Sequence, residues 1–109
     1  MFIAVYWWRV KPGKEDQFRK AWFRGTELIK ARLGGLGSRL HRNADGRFVA
    51  YAQWPDQATW QRAYDARFDY GEPETARLFT DAVAEGAPGH MPVFSMTVTD
   101  DLLDLLRAA

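Results

Sequence analysis

The longest stretch without a turn residue lies at the start of the chain. Phe2 to Val10 is β-branched and aromatic and reads as a buried strand, ended by Lys11-Pro12-Gly13. Periodicity then changes. Phe18, Ala21, Trp22, Leu28, Ile29 and Leu33 recur at helical spacing from about Gly13 to Arg32, and Gly34-Gly35 stops the run. Glu15 with Arg19, and Asp16 with Lys20, fall four apart on the wet face. Residues 36–43 and 47–54 read as strands around Ala44-Asp45-Gly46, a hairpin signal, with Leu36 and Leu40 as core. Asp56 reads as the cap of a second helix that turns Trp60, Ala63, Tyr64 and Phe68 inward. A third, short helix starts at Pro73 with Leu78, Phe79, Ala82 and Val83 as its stripe, ended by Gly86 and Pro88. Residues 91–99 form the last strand, and the Leu-rich tail 100–109 is one helical turn or two.

This order predicts an α+β fold: ferredoxin-like βαββαβ, a four-stranded antiparallel sheet with helices on one face and an extra short helix before the last strand. At 109 residues it is a single domain, with a core spanning 1–99. On the first strand Phe2, Ala4, Tyr6, Trp8 and Val10 share one side while Ile3, Val5 and Trp7 share the other. Both sets are apolar. Helices cover only one, so the other calls for a second copy of the chain, with Ile3, Val5 and Trp7 at a homodimer interface.

Composition narrows the chemistry. A net charge of +1 gives no field for nucleic acid or an anionic membrane. No cysteine is present, which removes thiolate metal sites and thiol nucleophiles. The apolar N-terminus is too short to span a bilayer, and a cytoplasmic location is the default. His41 and His90 bring no further ligands at metal spacing, and no metal is expected. Ser38 and His41, three apart on a strand, face opposite ways and form no triad. The glycines at 34, 35 and 37 run from helix into strand, the wrong direction for a phosphate loop. Phe48-Val49-Ala50-Tyr51 matches the end of an RNA-binding strand motif, but Gly46 falls where a stacking ring is needed.

What stands out is five Trp, seven Phe and four Tyr. Tyr6, Trp8 and Trp54 set bulk against Ala50, Ala52 and Ser38 on the helix-facing side. Either these rings fill the gap, or a pocket for a flat aromatic ligand opens there, rimmed by Trp60, Tyr64 or Phe68. Tyr6 is the group to orient such a ligand. No catalytic residue is assigned.

Val10 to Phe18, then Leu40-His41-Arg42, then Asp45 to Asp56, resemble the antibiotic biosynthesis monooxygenase (ABM) superfamily. The likeness covers residues 2–65 well and the last strand loosely. It implies a dimer whose two sheets form a shared α+β barrel. It also implies, among the family's activities, cofactor-free oxygenation of a phenolic or quinol-type aromatic, with no bound cofactor. The haem-degrading branch fits poorly: its strand-one Asn falls on Tyr6, and Ala63 and Pro73 stand where it carries a Trp and a His. The alternative is a non-catalytic ligand-binding or structural dimer of the same fold.

Overall fold

The computed structural model describes residues 1–86 and 91–103. Within them the order is β1 (Phe2–Val10), α1 (Glu15–Arg32), β2 (Gly37–Arg42), β3 (Phe48–Trp54), α2 (Gln57–Asp65), α3 (Pro73–Ala82), β4 (Val83–Gly86) and β5 (Phe94–Thr97). The sheet is antiparallel. β1 lies between β3 on one side and, on the other, β4 and β5 in succession. β2 is the outer strand beyond β3. The ferredoxin-like arrangement is therefore present, with its last strand position shared by two short pieces.

That sharing is the main departure from the sequence reading. The third helix stops at Ala82, and Val83 opens β4 opposite Val10 instead of closing the helical stripe. A β-branched residue tolerates the extended backbone that the helix end imposes here, with Val83 at φ −84° and ψ 127°. The final strand is correspondingly shorter than 91–99. Helix α1 begins two residues later than the periodicity suggested, since Gly13 is a turn residue at φ +82°. Pro88, His90 and the tail from 104 onward lie outside the described residues.

The alternation on β1 works as expected. Phe2, Ala4, Tyr6 and Trp8 are buried under the helices, packed with Phe18 of α1, Phe48, Ala50 and Trp54 of β3, and Trp60 and Ala63 of α2. Phe18 is fully buried, with its ring centroid 5.0 Å from Phe48 and 4.9 Å from Phe79, so α1, β3 and α3 meet on one side chain. Asp56 caps α2 by accepting from the Thr59 amide at 2.7 Å. Leu36, assigned above to the core, is instead exposed: β2 starts one residue later, and only Leu40 of that pair packs inward.

A polar clamp joins α1 to α3. Lys14 Nζ and Gln17 Nε2 both donate to Asp81 Oδ2, at 2.5 and 3.0 Å, and Gln17 also donates to the Leu78 carbonyl. These donors, Lys14 first, hold the Asp81 carboxyl down at about 2 against an ordinary 3.8. A depressed acid stabilises the fold above its unfolded pKa and loses that contribution as pH falls through the folded one. Asp81→Asn should therefore flatten the stability profile between pH 4 and pH 2 and leave its slope above pH 5 unchanged. Thermal melts across that range test this, and an unaltered acid limb would refute it.

Candidate functional site

The sheet explains why a space opens beneath the helices. Along the helix-facing side, Trp54 stands opposite Phe2, and Ala50 stands between Tyr6 and Leu40. Between those rows, Ala52 pairs with Ala4 on one side and with Ser38 on the other. Ala52 and Ser38, with Ala50, border a trough that α1 does not fill, while Ala4 is packed in the core. The result is a cavity of about 470 Å³ walled by β1, β2, β3, α1, α3 and the 67–72 loop. That size suits an organic ligand, for which roughly 300–1,000 Å³ is usual.

Of the residues singled out from the sequence, Tyr6, Trp8 and Ser38 lie on this wall, as do Ala50, Ala52, Trp54 and Phe68. Trp60 and Tyr64 are not part of it. Trp60 is buried behind Tyr6, where its indole Nε1 donates to the Tyr6 hydroxyl at 3.1 Å, and Tyr64 packs against Trp60 at 5.3 Å. Phe68 reaches the wall from beyond the end of α2 rather than from its inward face. Sequence reasoning missed the α1 residues Trp22, Gly25 and Ile29 and the α3 residues Ala76 and Phe79, which form the roof. Trp22 and Ile29 were placed on the apolar stripe of α1, but nothing in their spacing separates a core position from a cavity wall.

Burial pushes the Tyr6 hydroxyl up to about 12, with the bond from Trp60 opposing the rise. Tyr6 thus keeps its proton, and because Trp60 already donates to its oxygen, that proton remains to be given elsewhere. Glu72 also lies on the wall, but Arg24 grips its carboxylate at 3.0 and 3.2 Å and Thr75 donates to it, which lowers its pKa. Asp69, Lys30 and Arg67 complete the charged part of the lining. His41 is remote: its face of β2 is the one away from the helices, and its Nδ1 sits 3.1 Å from the Val49 carbonyl. Among the described residues no cluster of three His, Cys, Asp or Glu side chains could hold a metal ion. None of the helices there is long and apolar enough to cross a membrane.

The loop that brings Phe68 to the cavity carries backbone strain. Helix α2 ends in a Schellman turn, with the Phe68 amide on the Ala63 carbonyl and the Arg67 amide on the Tyr64 carbonyl, both at 2.8 Å. Glycine normally takes the left-handed position after the cap. Here Arg67 occupies it at φ 56°, and Phe68 follows at φ 51°. Arg67→Gly should raise stability by about 0.5–1 kcal/mol, relief of the left-handed penalty exceeding the added freedom of the unfolded chain. A lower melting temperature for the variant would show that the arginine side chain contributes more than its backbone costs.

The fold and this cavity define a ferredoxin-like α+β protein with an aromatic-lined cavity between sheet and helices. The chain belongs to the antibiotic biosynthesis monooxygenase family, whose profile matches residues 1–67. Its structure is similar to SnoaB, a cofactor-independent oxygenase from Streptomyces nogalater, at 18% identity over 93% of this chain and 95% of that one, with a TM-score of 0.63. It is also similar to a monooxygenase from the gene ActVA-Orf6 of Streptomyces coelicolor, solved with the ligand nanaomycin D. There the identity is 22% over 94% of this chain and 90% of that one, with a TM-score of 0.61. A conserved protein from Methanosarcina mazei Go1 matches at 15% identity over 77% of this chain and 82% of that one, with a TM-score of 0.60. No curated protein matches the sequence.

Proposed function

We propose that this protein is a cofactor-independent monooxygenase acting on a flat phenolic or quinol-type aromatic held in the cavity between sheet and helices. One observation carries the reading: in a chain of this family, a cavity of about 470 Å³ opens beside the core rings Tyr6, Trp8 and Trp54. Such a substrate supplies its own electrons. An anthrone-type CH2 flanked by aromatic rings ionises to a carbanion, which passes one electron to dioxygen. The radical pair joins at carbon, and the peroxide so formed loses water to leave a ketone. In sum, CH2 and O2 give C=O and H2O, with one oxygen atom in the product and four electrons drawn from the substrate. The protein's part is to exclude water and stabilise the developing oxyanion, for which the Tyr6 hydroxyl is the suited donor. No proton acceptor is assigned: Tyr6 stays protonated, Glu72 is occupied by Arg24, and Asp69, the other carboxylate of the wall, is exposed and accepts from the Gly71 amide.

That last fact also favours a second reading, a ligand carrier of the same fold without turnover. Oxygen uptake with an anthrone, compared with the protein-free autoxidation rate and without added metal or flavin, separates the two. Acceleration with one labelled atom from 18O2 in the product supports the oxygenase. Saturable binding with no acceleration leaves the carrier.

We further propose a homodimer through the helix-free sheet face. Val5 and Trp7 of β1 stand in register there with Tyr51 and Val49 of β3. Beside them Phe94 is 65% and Met96 44% exposed. Ile3, on the same side, is already covered within one chain, so Val5, Trp7, Phe94 and Met96 would supply the new contact. An obligate interface of this kind would bury more than roughly 1,500 Å² in total. A monomer in sedimentation at micromolar concentration would sink this proposal.

A further inference from the structure

Two cations on the cavity wall, Lys30 and Arg67, carry side chains that make no hydrogen bond or ion pair among the described residues. Both are exposed, so a ligand seated in the cavity can reach them. They belong to one end of the space. The Lys30 stem runs along the start of β2, where a carbon added at Gly37 would lie 3.7 Å from its Cδ and 3.9 Å from its Cε. Two residues earlier, a carbon added at Gly35 would lie 3.6 Å from the Trp54 ring, and the Phe68 ring packs on Trp54 at 6.1 Å, with Arg67 the residue before it. The two carboxylates of the wall do not cancel these charges. Arg24 holds Glu72 at 3.0 and 3.2 Å, and Thr75 donates to it as well. Asp69 is exposed and accepts from the Gly71 amide at 3.0 Å, with no cation paired to it among the described residues. Two uncommitted cations against one such carboxylate leave the wall with one positive charge in excess. Arg32, which donates to the Tyr70 carbonyl at 2.7 Å, brings another to the 67–72 loop.

Arg67 adds a second, independent observation. It holds the left-handed position of the turn that ends α2, at φ 56°, where glycine would cost the backbone less. Strained residues of this kind concentrate at ligand sites, where the side chain is kept for what it binds. The planar guanidinium of arginine meets a carboxylate with two parallel hydrogen bonds, and lysine adds a mobile ammonium. A charge at the exposed end of an apolar cavity also acts beyond direct contact, since low-dielectric walls focus its field. We infer that Lys30 and Arg67 form an anion-selecting rim: the ligand is an aromatic bearing a carboxylate, whose ring enters between sheet and helices while the acid stays at the wet end. The inference rests on the cavity being a ligand site, as in the preceding proposal, and adds a charge requirement to it. No bond is made or broken at the rim, so the two residues set specificity and take no part in turnover.

The test compares 2-naphthoate, ionised at neutral pH, with its uncharged isostere 2-naphthamide, both titrated by calorimetry into the intact chain. At about 0.01 M salt the parent should bind the carboxylate about 5–10-fold more tightly, the factor expected of two exposed ion pairs. At about 1 M salt, where charges are screened beyond roughly 3 Å, the preference should fall below about twofold. Lys30→Gln and Arg67→Gln should each cost the carboxylate about 2–4-fold at low salt and change the amide less than about twofold. Both substitutions are at exposed side chains, so the fold is not at stake. Arg67→Lys, which keeps the charge on the same strained backbone, should retain about half of the preference or more. Ala52→Leu, which fills the cavity, should weaken both probes. Equal affinity for the two probes in the parent, or a preference that survives the double variant, would overturn the rim while leaving the cavity as a ligand site. Carboxylate binding undiminished by Ala52→Leu would also overturn it, as anion capture at the surface alone. Failure of the parent to bind either probe would overturn the cavity reading itself, and the rim with it.

Discussion

Gly86→Ala should cost about 3–5 kcal/mol and lower the melting temperature by at least about 10 °C. Gly86 ends β4 at φ +120°, a conformation that L side chains rarely adopt, and it pairs with Trp8. A side chain there would collide with the Trp7 carbonyl oxygen and lie 2.9 Å from the Trp8 α-carbon. Both obstacles are backbone of the central strand and cannot turn aside. Gly46 supplies the comparison. It has φ +88°, but an added carbon would meet nothing within 4 Å, so Gly46→Ala should cost only about 1 kcal/mol. Similar melting temperatures for the two variants would mean that the chain repositions β4 without loss, and the close approach of β4 to β1 would then be incidental.

Ala52→Leu should reduce the affinity for any flat aromatic ligand by about 100-fold or more while changing stability by less than about 1 kcal/mol. Ala52 borders the trough with Ala50 and Ser38, and a leucine at this position projects into the cavity. Had the gap been packed core, the same insertion would cost about 1–3 kcal/mol through overpacking. Melts of parent and variant, with and without a panel of phenolic polycyclic compounds, read both quantities. A destabilised variant together with no ligand-induced shift in the parent would refute the cavity as a binding space.

The elements most legible in the sequence were those whose pattern has a single cause. The switch from the β1 run to the helical spacing of Phe18, Ala21 and Leu28 located α1, and Asp45-Gly46 located the hairpin. Asp56 was readable as a cap because its side chain acts on an amide three residues away. That small residues face bulky rings across the strands was readable, since strand register is a matter of counting, but whether the rings fill the space or leave it open was not. Two things were hidden. Val83 fits a helical stripe and a strand equally well, and only its pairing with Val10 decides between them. Trp60 and Tyr64 lie on the inward face of α2, but helical periodicity gives direction without depth. It could not tell that Trp60 would stand behind Tyr6 as a hydrogen-bond donor instead of beside it on the wall. The unpaired state of Lys30 and Arg67 on the wall was likewise invisible, because the pairing of a charge depends on every neighbour in space.

The shared edge beside β1 also has a consequence for local opening. β4 follows α3 without a break, and the Ala82 carbonyl at their junction accepts the Lys11 amide at 2.9 Å, so this half of the edge is tied to a helix. β5 is exposed along its whole length and is held to Phe2–Val5 by strand pairing. A continuous edge strand would come away as one cooperative unit; two separate pieces have two opening free energies. Hydrogen exchange should resolve them as distinct protection levels, slow for amides shared between β4 and Trp8–Val10, faster for those shared between β5 and Phe2–Val5. Tyr6 sits at the joint between the halves, so a ligand lodged against Tyr6 and Trp8 should slow exchange on the β4 side while leaving the β5 side to breathe at its own rate.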